Sequence, residues 1–399
     1  MSRVFCFTAA LGMATAALLS PCQSTQSLAD LRQNALSLSQ LGKVDEAEAA
    51  WRALSKARPN DPEPYAQIAV LEAHQQHYKE AIPLYRKAIS LNPRVRGLQL
   101  DLGLALFKSG DLKEAIPEFQ TALRRAAPGS AEADRCVILI GMSYYGLAEY
   151  PRAAPYLKQA AGRDPKNLSL LLALAHSYLW SKEYKRVLEV YRQILEVNPN
   201  SAEADMLAGE ALDEMKDNAG STNMFRAAVK ADPKEPNVHF GLGYLLWTQK
   251  QYPEAAKEFQ AELDNDPNHA QAMLYLADTR IQLNQTDGVE QLLTRAIQLN
   301  PTYELAYLDR GILEQDSGRN EEALRDLTMA AKIAPSDVNV HWRLGRLYRT
   351  MGKKAEAKVE FDKASTLNKQ ADEDLFKKIA NGNARRAQDK TPPATPAEK

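Results

Sequence analysis

The stretch AIQLNPTYELAYLDRG, Ala296 to Gly311, sets an apolar run of helical spacing, an Asn-Pro break and a second helical run ending at glycine within one short phrase. The same punctuation stands in AISLNPRVRGLQLDLG, Ala88 to Gly103, and in ILEVNPNSAEADMLAG, Ile194 to Gly209. The break prolines Pro165, Pro199, Pro233, Pro267, Pro301 and Pro335 follow one another at steps of 34, and Pro59 and Pro93 are also 34 apart. Between Pro93 and Pro165 the step is 72, two periods plus four. A fixed period of this length marks a repeat array, a reading that precedes any local motif.

With Leu28 as the start, ten periods and an insertion of four at about 130–133 reach Ala371. The eighth residue of every period is small: Ala35, Ala69, Gly103, Gly141, Ala175, Gly209, Gly243, Ala277, Gly311 and Gly345. Glycine inside a helix costs about 1 kcal/mol against alanine, so a column restricted to these two reflects close helix approach. Twelve residues on, Ala47, Ala81, Ala115, Ala153, Ala255, Ala323 and Ala357 repeat the demand, and four further on the position is large, as in Trp51, Tyr85, Phe119, Phe225, Phe259 and Phe361. Small and large positions four apart share one helix face. Each period therefore holds two antiparallel helices, with turns visible in GKVDEA, SGDLKEA and SGRNEEA, where glycine ends one helix and acids open the next. Pro151 and Pro253 stand where second helices begin. Gly220 with Ser221, and Gly288, weaken the second helices of the sixth and eighth periods and mark expected soft joints.

These columns resemble those of tetratricopeptide-repeat proteins, over residues 28–371. The resemblance implies an all-α fold, a right-handed α-solenoid built as a superhelix of antiparallel helix pairs, with a concave groove lined by the first helix of each pair. It also implies a non-catalytic scaffold that takes a protein or peptide in that groove. In the family register Tyr145, His176, Phe240, Tyr244 and Trp247 face the groove, with Trp180 near its edge. Clustered aromatics bury large area at little entropic cost and suit partner anchors, although any one of them packs between helices as readily as it binds. The sixth period carries an acidic first helix (Glu203, Glu210, Asp213, Glu214), and the tenth carries Arg343, Arg346 and Arg349 at three-residue spacing beside Trp342. The arginines fall on one face and suit capture of an acidic motif, against the plainer reading of a solvated charged surface. The lysine and asparagine clamp that some tetratricopeptide co-chaperones use for a chain-terminal carboxylate does not carry over, because the matching positions hold Arg32, Leu36 and Ala66.

The ends carry other signals. Residues 1–24 read as a signal peptide, with Arg3 before an apolar run from Val4 to Ser20, which implies an exported, periplasmic or secreted chain. LLSPC also resembles a bacterial lipoprotein signal that would lipidate Cys22 and tether the chain to a membrane; Pro21 departs from that pattern, and both outcomes stay open. After cleavage no membrane insertion is expected except through such an anchor. Cys136 reads as a small packed residue. Residues 372–382 read as a capping helix, opened by Asp372, Glu373 and Asp374 and closed at Asn381-Gly382, and 383–399 as a disordered tail.

Lysine plus arginine number 50 against 51 for aspartate plus glutamate, which gives no global field for nucleic acid. GLGYLL at Gly241 lacks the third glycine of a dinucleotide fingerprint, and HQQH, His74 to His77, has no third ligand nearby. No enzyme activity, cofactor or metal is expected. Besides the scaffold, two readings remain: a structural subunit of a cell-envelope assembly or secretion complex, and a substrate-presenting accessory of an enzyme on another chain. The oligomeric state is not legible.

Overall fold

The computed structural model describes residues 27–388; the expected signal with Cys22, and residues 389–399 of the expected tail, lie outside the described residues. Contacts divide the chain into two compact units between Ala160 and Ala161. The N-terminal unit holds α1 (Leu28–Gln40), α2 (Val44–Ala57), α3 (Pro62–His74), α4 (Tyr78–Leu91), α5 (Leu98–Ser109), α6 (Leu112–Arg125), α7 (Ala131–Gly146) and most of α8 (Tyr150–Arg163). The C-terminal unit holds α9 (Leu168–Trp180), α10 (Tyr184–Val197), α11 (Ala202–Glu214), α12 (Asn218–Ala231), α13 (Val238–Thr248) and α14 (Tyr252–Asn265). It continues through α15 (Ala270–Gln282), α16 (Val289–Leu299), α17 (Glu304–Asp316), α18 (Asn320–Ile333), α19 (Val338–Thr350) and α20 (Lys354–Gln388). The described residues are all-α and contain no strand, as the resemblance implied.

Each pair turns through one residue in the left-handed region. Glycine fills that place at Gly42, Gly110, Gly318 and Gly352, but Gln76, Ala148, Lys182, Lys216, Lys250 and Asn284 occupy the same step of the pattern with positive φ. A β-carbon there costs roughly 1–2 kcal/mol. Ala148→Gly, at φ 56, is therefore expected to stabilise the chain by about 0.5–1 kcal/mol after glycine's own entropy is subtracted. Urea denaturation would show it, and a loss of stability would contradict the strain.

The small column meets the large one within a pair. A β-carbon on Gly103 would stand 2.6 Å from the Phe119 ring, on Gly243 2.9 Å from Phe259, and on Gly345 2.7 Å from Phe361. The large residue of the second helix thus sits on the bare backbone of the first, which is why position eight tolerates only glycine or alanine. Trp51, Phe119 and Phe259 are fully buried in this role. Cys136 is buried as well, and burial pushes its thiol up to about 11, as befits a packed residue.

Local departures follow from sequence. The four-residue insertion is absorbed mainly as extra helix, since α7 has 16 residues where α3, α9 and α11 have 13. Gly220 and Ser221 do not interrupt α12, whose first turn is held by the Asp217 side chain accepting from Gly220 N–H at 2.9 Å. Gly288 is instead the residue before α16, which shortens to 11 residues. Pro83, Pro117 and Pro155 stand inside α4, α6 and α8, all in the N-terminal unit.

The end of the chain differs from expectation. Residues 372–382 do not form a separate capping helix, because α20 runs unbroken from Lys354 to Gln388 and takes in 383–388 of the expected tail. The acidic triad and Asn381-Gly382 are tolerated inside a helix; a single glycine costs only about 1 kcal/mol, and no proline forces a stop.

Candidate protein-binding face

In the C-terminal unit the first helices α9, α11, α13, α15, α17 and α19 touch one another in succession, besides packing on their own second helices. They form the tighter, inner layer of that unit. One column at the 34-residue period crosses this layer: His176, Glu210, Tyr244, Asp278, Ile312 and Arg346. It carries acids on both sides of Tyr244, at Glu210 and Asp278, and ends on a base.

The acidic part is on α11. His176 Nε2 lies 3.2 Å from Glu203 Oε1. Glu210 is open to solvent on one side and hemmed by protein elsewhere; that partial desolvation raises its carboxyl pKa, with His176 pulling the other way. Asp205 is buried and accepts the Tyr191 hydroxyl at 2.7 Å.

The aromatic part centres on Tyr244, which is 39% exposed. It stacks on Phe240 (centroids 6.2 Å apart) and on Trp247 (6.0 Å), and Tyr275 of α15 meets it edge-on at 5.2 Å. Helix α13, VHFGLGYLLWT, carries these side chains because it is apolar on every face and needs cover on its outer side too. Phe240 and Trp247 are half-buried, Phe240 resting against the core ring of Phe259 at 5.9 Å. Trp247 Nε1 donates to Asp278 Oδ2, and Gln282 Nε2 donates to Asp278 Oδ1 at 3.3 Å. Burial pushes the Tyr275 hydroxyl up to about 12, with Tyr244 adding to the effect.

Past the aromatics, Asp309 of α17 is buried with one carboxyl oxygen, Oδ2, lacking a hydrogen-bond partner. Burial holds its carboxyl pKa well above the usual range, helped by Asp278 and Glu304 and opposed by Arg343. At the basic end the three arginines divide: Arg343 and Arg346 lie 5.5 and 4.9 Å from the Trp342 ring, whereas Arg349 lies over Phe361. Trp180, 62% exposed, ends α9. Tyr145 belongs to the N-terminal unit, half-buried with its ring 5.8 Å from Tyr150.

Phe240, Tyr244 and Trp247 are thus brought together, and Arg343 and Arg346 share one tryptophan. Tyr275, Asp278 and Asp309 were not singled out from sequence. The signal existed, since Asp278 lies 34 residues after Tyr244 and Asp309 lies 34 after Tyr275. His77 of the HQQH motif precedes α4 without a side-chain capping bond and contacts Glu72 at 3.1 Å, and among the described residues no group of three His, Cys, Asp or Glu could hold a metal.

Models described as tetratricopeptide repeat match residues 146–211 and 246–309, residues 32–94, 67–131 and 214–270, and residues 338–370, together most of the chain. The chain is 24% identical over 333 residues to DnaJ protein P58IPK homolog A of Oryza sativa subsp. japonica, covering 79% of this chain and 64% of that protein. It is 23% identical over 301 residues to BBSome complex member BBS4 of Bos taurus, covering 75% of this chain and 57% of that one. The chain therefore spans less than two thirds of the length of either relative. Among solved structures, YrrB, described as a tetratricopeptide-repeat protein with an unusual peptide-binding site, is 19% identical, covers 47% of this chain and 97% of its own, and superposes with a TM-score of 0.40.

Proposed function

Because the chain belongs to the tetratricopeptide-repeat family, we propose that it is a non-catalytic scaffold that binds a protein or peptide partner on the first-helix face of its C-terminal unit. The observation that carries this reading is the exposed Tyr244 ring, held on three sides by Phe240, Trp247 and Tyr275, with the acidic α11 beside it and the arginines of α19 further along the same face. A ring already fixed by its neighbours loses little freedom when a partner covers it, and such rigid aromatics supply most of the binding energy at many interfaces. The charges on either side set the orientation of the partner rather than its affinity.

The scaffold has ten repeats and is exported after loss of residues 1–24, with Cys22 as the alternative lipid anchor. Support for export comes from the apolar run Val4 to Ser20, and support for ten repeats from the ten left-handed turns at the period.

Tyr244→Ala is the clean test, because Trp247→Ala also strips the donor from Asp278. With the partner identified by pull-down from the host, Tyr244→Ala is expected to weaken its binding by about 2 kcal/mol or more while helicity stays unchanged. A partner held equally by both forms would move binding away from this face and favour the structural-subunit role.

A further inference from the structure

Two columns run side by side across the inner layer of the C-terminal unit. Tyr244 and Asp278 stand one period apart in the first, and Tyr275, Asp309 and Arg343 follow one another at the period in the second. The side chains join into one patch: Trp247, stacked against Tyr244, donates its indole N–H to Asp278, and Asp278 in turn acts on Asp309 from α15 to α17. Aromatic faces thus give way to two carboxylates on neighbouring helices.

Both residues are only 7% exposed, and neither carboxylate meets a cation. Asp278 accepts from Trp247 and Gln282, both neutral donors, and Asp309 Oδ2 is buried with no partner. Glu304, at the start of α17, adds a third acid that bears on Asp309 and leaves its own buried Oε1 unpartnered. Arg343 of α19 acts on Asp309 from the opposite flank, but among the described residues it forms no ion pair with that carboxylate, and its buried Nε is likewise without a partner. Buried carboxylates this close oppose each other's charge, and both ionise only where a cation joins them. The chain's own arginine does not do so.

We propose that this patch seats an arginine side chain of the partner, its guanidinium joining Asp278 and Asp309 and its stem lying along the exposed Tyr244 ring. The inference rests on the partner-binding role of this face and names the chemistry that the face reads. A guanidinium fits better than an ammonium: its flat face stacks on aromatic rings while its fork of donors meets two carboxylates at once. Arg343, half-buried and already 5.5 Å from the Trp342 ring, turns out onto that ring to admit it. The acidic α11 beside α13 favours the same basic segment.

The probe is N-acetyl-arginine amide, titrated into the full chain and read on the Trp247 indole N–H by nitrogen-edited NMR, where four tryptophans give four signals. N-acetyl-citrulline amide, the same shape without the charge, is the control. The arginine compound is expected to shift the Trp247 signal saturably where the citrulline compound does not. Asp309→Asn is expected to weaken that binding at least about tenfold, and Arg343→Gln, which removes the competing cation, to tighten it. Equal responses to the two compounds, undiminished binding in Asp309→Asn, or weaker binding in Arg343→Gln would overturn the assignment. Should Asp309→Asn fail to fold, the citrulline comparison and Arg343→Gln decide. Failure here is separable from failure of the binding face. A partner lost on Tyr244→Ala with no response to the arginine compound keeps the face and overturns the arginine seat. A specific arginine response with a partner indifferent to Tyr244→Ala keeps the seat and overturns that partner as its occupant.

Discussion

Replacing Phe259 by alanine is expected to lower stability by about 3–5 kcal/mol, the range for a fully buried aromatic in a close-packed site. The ring rests on Gly243, where even a β-carbon would come within 2.9 Å, and it also supports Phe240 at 5.9 Å and Tyr275 at 5.8 Å. Those two rings hold Tyr244 in place. The substitution should therefore also weaken partner binding, although Phe259 itself is out of a partner's reach. Repeats are stabilised mainly by their neighbours, so exchange protection should fall in α13 to α15 and persist in the N-terminal unit. Urea denaturation gives the energy and hydrogen exchange its location; a loss under about 1 kcal/mol would show that the site collapses around the gap.

The second large effect is expected at Arg310. Its Nε and Nη2 grip both oxygens of Asp326, the latter at 2.9 Å, and its Nη1 donates to Thr294 Oγ1 at 3.1 Å. Both side chains are largely buried, at 19% and 10% exposed. Arg310→Ala strands a carboxylate in the interior and should cost about 3–5 kcal/mol. One turn on, Glu314 is buried with Oε2 unpartnered, and its carboxyl is raised from 4.5 to about 7 by burial first and by Asp326 second, against Arg310 and Arg319. Its folded pKa lies above the unfolded one, so the folded chain holds a proton that the unfolded chain releases between pH 4.5 and 7. Stability from this group is present below that window and lost as pH rises through it. Removing Arg310 raises the carboxyl further, so the deficit of Arg310→Ala should be larger at pH 8 than at pH 5. Adding Glu314→Gln should flatten that dependence in denaturation curves at the two pH values, and an unchanged slope would place it on another group.

The fold was legible because its rules recur. Each break proline falls in the turn after a second helix, and the Gly or Ala of position eight lies under the large residue sixteen further on, as Gly103 lies under Phe119. What escaped were exceptions of capping rather than of pattern. The starts of α5 and α13 read as ordinary apolar helix, and only the missing Ser, Asp or Asn at Gly97, and the Pro236 before Asn237, hinted at the left-handed residue that precedes each. The end of α20 misled for the converse reason: Asp372 to Asp374 and Gly382 carry start and stop signals, yet the helix runs through them. Aromatics at the candidate face stood out by type. Asp278 and Asp309 did not, because an acid on a helix is usually solvated, and their burial depends on the neighbouring helix that the sequence does not display.

The three prolines inside α4, α6 and α8 have a mechanical meaning. Each occupies the sixth residue of its helix and removes one rung of the hydrogen-bond ladder, and α10, α12, α16 and α18 have no such gap. A chain held at both ends and pulled would meet less resistance in those helices than in their continuous counterparts. The N-terminal unit would give way first as a compliant segment, while the C-terminal unit kept its aromatic face assembled under load.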